Sequence, residues 1–145
     1  ALVITPTRGL QPPDVIVTAD VLREFAGVDV KTDDERYRTP LDRDLQRLAL
    51  TLPPAARLVL LGSIATGKYV DALTAVFGQR LHYPSAFVGR GDMSRGGLML
   101  RSVAANEELD YTPLSPDISR HGARPPKLEP LGIPIASTGT ERRQV

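Results

Sequence analysis

Apolar residues along the chain fall into short clusters punctuated by proline, glycine and charge, and each cluster predicts one element. Leu2-Val3-Ile4-Thr5 is apolar and β-branched, so it reads as a short strand buried on both faces, ended by Pro6 and Gly9. Val15-Ile16-Val17 fits a strand, but Thr18 is also a capping residue for a helix through Ala26 that stops at Gly27; the helix is the favoured reading. Val28-Asp29-Val30 reads as a second short strand, and Asp33-Asp34-Glu35-Arg36 as a solvated turn.

A helix start is expected at Thr39-Pro40-Leu41-Asp42, where a capping hydroxyl precedes proline and a carboxylate follows three residues later. Leu41, Leu45, Leu48 and Leu52 then recur on one face, while Asp42, Arg43, Asp44, Gln46 and Arg47 solvate the other. Pro53-Pro54 ends that helix, and Arg57 to Leu61 is expected to form the central strand. Val70, Leu73, Val76 and Phe77 give the next helix its apolar stripe, with Gly78 as its stop. Arg80-Leu81-His82-Tyr83 predicts another strand closed by Pro84. Residues 98–103 and 109–112 fit the two arms of a β-hairpin. From Pro113 on, proline and glycine recur without periodicity, which predicts an extended or partly disordered arm.

Strands separated by amphipathic helices imply parallel pairing. The expected fold is therefore α/β, a three-layer sandwich with a small, mostly parallel sheet, helices on both faces, an added β-hairpin and an extended C-terminal arm. Its domain spans residues 1–112, followed by a proline-rich basic arm over 113–145.

Composition narrows the chemistry. The 145 residues are enough for one ordinary core, and 41% hydrophobic residues with a net charge of +1 place the chain in the soluble globular class. No apolar run is long enough for a membrane span and none reads as a signal peptide, so the expected location is cytoplasmic. With no cysteine, disulfides, thiolate metal sites and cysteine nucleophiles are excluded. His82 and His121 lie too far apart in sequence to suggest a structural zinc site; His82 reads as a structural strand residue and His121 as part of the arm, and no metal site is expected. Fifteen arginines stand against three lysines, at Lys31, Lys68 and Lys127, which reflects coding bias.

The chemistry-bearing segment is Gly62-Ser63-Ile64-Ala65-Thr66-Gly67-Lys68-Tyr69, a loop between an apolar strand and a helix. There Gly62 and Gly67 permit close backbone approach, Ser63, Thr66 and Lys68 offer donors, and a helix N-terminus favours an anion. The plain alternative is ordinary turn chemistry, since strand-to-helix turns favour the same residues. A second segment, Gly89-Arg90-Gly91-Asp92-Met93-Ser94-Arg95-Gly96-Gly97, reads as a polar glycine-rich loop. Folded over the first, it would bring Arg90, Ser94 and Arg95 to the same anion as Lys68. Arg8, after the first strand, joins them if the two strands are neighbours. Asp92 is the favoured general base, ahead of Asp71. Arg90-Gly91-Asp92 matches an adhesion tripeptide, a match too short to carry weight.

The first segment resembles the Walker A phosphate loop at seven of eight positions; Tyr69 stands where that family has Ser or Thr for Mg²⁺, so the resemblance implies an anion site rather than a nucleotide hydrolase. Both segments together, over about residues 57 to 128, resemble a group of small bacterial α/β proteins that brings no activity with it. The expected function is binding of a phosphorylated small molecule or nucleotide at the strand-to-helix loop, with transfer or hydrolysis chemistry if it is an enzyme. One alternative is a nucleic-acid-associated protein using the arginine-rich loop and the arm, which holds five Arg or Lys against two Glu over 120–145. The other is a structural protein whose arm docks on a second copy. No cofactor is identifiable.

Overall fold

The computed structural model describes residues 1–31, 33–115, 118 and 120–129. It is a mixed α/β structure with four helices, α1 (Ala19–Ala26), α2 (Glu35–Thr51), α3 (Gly67–Phe77) and α4 (Asp92–Ala105). Five short strands are β1 (Val3–Thr5), β2 (Gly9–Gln11), β3 (Leu58–Val59), β4 (Leu81–Pro84) and β5 (Tyr111–Pro113). They form a three-stranded sheet in the order β3-β4-β5 and a separate hairpin of β1 and β2.

The sheet is mixed where a mostly parallel one was expected. β3 runs parallel to β4, pairing Leu58 with Leu81, and β5 runs antiparallel to it, pairing Tyr83 with Thr112. The backbone N–H of Leu60 donates to His82 O at 2.8 Å, and that of Leu114 to Leu81 O at 2.8 Å. The central strand is therefore β4, whose four residues are all buried, and not the 57–61 segment, which is an edge. Val59 and Leu61 are correspondingly exposed.

The first apolar cluster also behaves differently from expectation. β1 does not enter the sheet; it turns back at once and pairs with β2, Thr5 opposite Gly9. The turn closes because Thr5 Oγ1 donates to Gly9 O at 2.9 Å and accepts from Arg8 N at 3.1 Å. Asp44 of α2 accepts from Leu10 N at 3.0 Å, docking the hairpin on that helix. No strand forms at 28–30.

α1 follows the expected bounds, with Thr18 as N-cap accepting from Val21 N at 3.4 Å and Gly27 as C-cap. α2 starts earlier than Thr39 because Asp34 caps it, accepting from Arg36 N at 3.0 Å, so Pro40 lies inside the helix. An interior proline costs about 3 kcal/mol. Tyr37, Leu41 and Leu45 are fully buried on this helix, and about 1.5–3 kcal/mol for each apolar side chain outweighs that cost.

The largest departure is at residues 89–103. The expected glycine-rich loop and hairpin arm are in fact α4, which begins at Asp92 and runs to Ala105. Asp92 in the first turn complements the helix dipole, and Leu98 to Ala105 are mostly strong helix formers. Asn106 then ends it in the left-handed conformation, φ 55°, with its N–H on Ser102 O and Val103 O. Only Arg95 of α4 is buried. The core is instead built from α2, α3, β4 and Leu114, around Tyr37, Leu41, Val70, Phe77, Leu81 and Tyr83.

Residues 120–129 have no helix or strand and touch α4 and the residues just before it. Arg90 donates to Pro126 O at 3.4 Å, Arg101 donates to Glu129 O, and Arg120 meets Asp71 at 3.3 Å. The expected disorder of residues 130–145 falls outside the described residues. Among the described residues no helix is long and apolar enough to cross a membrane.

Candidate functional site

A cleft of about 760 Å³ opens between α4 and the body of the molecule. One wall is the free edge of the sheet, residues 57–63, joined by Val3 and Ile4 of β1; the floor is Leu45 and Leu48 of α2, its C-cap Leu52, and Leu73 of α3; α4 supplies Asp92, Arg95, Gly96 and Met99.

Gly62 and Ser63 of the first segment and Asp92 and Arg95 of the second therefore face one cavity. Arg95 is the buried charge of the group, with 11% of its side chain exposed against 93% for Asp92. Its guanidinium donates to Asp92 Oδ1 and to the carbonyl of Arg90. Those bonds hold the planar group in place, and its other N–H donors have no partner among the described residues. Helical spacing puts them together: Asp92 and Arg95 are three residues apart on one face of α4.

The remaining expected residues lie outside the cleft lining, each with a local occupation. Thr66 is the N-cap of α3 and is exposed, its side chain making no capping bond. Gly67 lies against the carboxylate of Asp71, which a Cβ there would push aside. Lys68 is exposed and is tied down only through its carbonyl, which accepts from Tyr37 Oη at 2.9 Å. Arg90 donates to Ala86 O at 2.9 Å and to Ser94 Oγ at 3.2 Å besides Pro126, so its guanidinium fastens the arm. Arg8 sits in the β1–β2 turn, outside the sheet, and pairs with Glu24 of α1 at 2.6 Å. The bond from Arg8, helped by Thr7, holds the Glu24 carboxyl down at about 2.

His82 is buried in β4, with Nδ1 3.0 Å from Arg80 O, a contact in which the Nδ1–H tautomer donates to the carbonyl. His121 is an exposed residue of the arm. Among the described residues no group of His, Asp or Glu is arranged to hold a metal ion.

Two cleft residues were not legible as site residues. Arg57 lines the cleft at the start of β3, and Tyr69 lines it from the first turn of α3, at the position where the Walker A pattern has its hydroxyl residue. A basic residue leading into an edge strand was the available signal for Arg57, but edge status is set by pairing. Comparison of the chain with protein-family models, with curated proteins and with solved structures finds no match.

Proposed function

We propose that this protein binds a phosphorylated small molecule or nucleotide, with the anion held at Arg95 beside Gly62 and Ser63. The observation that carries the reading is a buried arginine on the wall of a largely apolar cleft that also contains the Gly62-Ser63 turn. Burial lowers the local dielectric, and a guanidinium fork with spare donors matches phosphate or carboxylate. Its present partner, Asp92, is a solvent-exposed carboxylate that can return to water when an incoming anion takes its place on the guanidinium. If a transfer or hydrolysis step accompanies binding, Asp92, the only carboxylate among the described residues lining the cleft, acts as base.

The test is ligand-induced stabilisation. A ligand at a hundredfold its Kd should add about 2.7 kcal/mol and raise the melting temperature. Inorganic phosphate, ribose 5-phosphate and AMP are the probes; the shift should vanish in Arg95→Ala and persist in Lys68→Ala, since Lys68 lies off the cleft. Absence of any shift in the unaltered protein, or its loss in Lys68→Ala with retention in Arg95→Ala, overturns the proposal.

A further inference from the structure

We infer, resting on the anion site proposed above, that the ligand it takes is an amphipathic anion: a phosphate or carboxylate head on a flexible aliphatic chain. A free phosphate, or a small sugar phosphate, would occupy only the end of a cleft of about 760 Å³ near Arg95. The rest must suit whatever is attached to the head.

Apart from Arg57, Ser63, Tyr69, Asp92 and Arg95, the lining is apolar and largely leucine, including Leu10, Leu48, Leu52, Leu58 and Leu60. Among the described residues, no Asn, Gln, Thr, His or Lys lines the cleft, and Tyr69 is its one aromatic residue. A nucleobase bound there would lose water from its ring nitrogens and carbonyls with few donors or acceptors to replace it, and would have one ring to stack on. An alkyl chain makes no such demand. It gains from covering leucine side chains, and the buried guanidinium fixes which end enters where. Charge complementarity thus orients the occupant and the aliphatic wall sets its class. Gly96 bears on the same point: it faces the cleft from α4, and a Cβ added there would meet nothing within 4 Å. The space beside it is open.

The experiment measures Kd by calorimetry for butyl, hexyl and octyl phosphate, octanoate, n-octanol and AMP, all below their aggregation concentrations. Affinity should rise about two- to fourfold per methylene along the alkyl phosphates, as expected for burial of CH₂ groups. Octyl phosphate should exceed AMP, and octanol should bind at least tenfold more weakly than octyl phosphate. Gly96→Leu should flatten the chain-length dependence, and Arg95→Gln should erase the preference for octyl phosphate over octanol. Octyl phosphate against octanoate distinguishes a phosphate head from a carboxylate head. Affinity independent of chain length, with AMP bound equally well, overturns the aliphatic chain and leaves the anion site standing. Octanol binding as tightly as octyl phosphate overturns the anion site, and this inference with it.

Discussion

At Gly9 a single hydrogen in place of a side chain lets the β1–β2 hairpin sit on α2. Its φ is +62°, and a Cβ would collide with the carboxylate of Asp44 and approach Pro40 O to 2.6 Å. Both the backbone conformation and the close approach demand glycine. Gly9→Ala should therefore destabilise the protein by about 2 kcal/mol or more, read as a lower midpoint in chemical denaturation, because it combines a positive-φ penalty with displacement of the Leu10–Asp44 bond. A change below about 0.5 kcal/mol would show that the hairpin is not docked as described. Gly67 is the instructive counterpart. In the sequence it looks like a phosphate-loop glycine; its close neighbour in the structure is the carboxylate of Asp71.

The element that departs furthest from its sequence pattern, α4, buries a single residue, Arg95. It is held instead by the arm, through Arg90 and Arg101 and through the seating of Gly89 under the backbone of Ala123. Gly89 has φ +74°, and a Cβ would come within 3.0 Å of Gly122 O. Gly89→Ala should lift the arm away. Trypsin should then cut after Arg120 and Lys127 at least several-fold faster than in the unaltered protein, with no comparable change in cutting after Arg43. Equal rates at both places would mean that the arm is held elsewhere. Since α4 carries Arg95, Gly96 and Met99, the arm also sets the position of one wall of the cleft.

For the molecule as a whole, the core ties its parts together through Tyr37, whose hydroxyl donates to Lys68 O across the α2–α3 packing. Burial, with smaller contributions from Tyr69 and Asp42, pushes this phenol up to about 12 from 10.0. Below pH 10 both folded and unfolded chains carry the neutral phenol, so this group leaves stability unchanged. Between pH 10 and about 12 the unfolded chain alone ionises, so stability should fall across that window and level off above it. Tyr37→Phe should lose about 1 kcal/mol at neutral pH with the hydrogen bond, and its stability should decline less from pH 10 to 12. The same slope in both proteins would refute the assignment to Tyr37.

Local chemistry made several elements readable along the chain. Thr18 and Gly27 bound α1, the leucine period marks the buried face of α2, Pro53-Pro54 closes it, and Gly78 closes α3. These signals act between residues a few positions apart, where backbone sterics and capping decide the outcome. Segment 98–103 was equally apolar, yet periodicity over six residues does not separate a strand from a helix, and it joined α4. Strand pairing, edge position and convergence of side chains depend on residues far apart in sequence: β1 found β2 rather than the sheet, β4 took the centre, and Arg95 rather than Lys68 reached the cleft. Such choices rest on competing packings of similar apolar content, whose free-energy differences arise only when the elements meet.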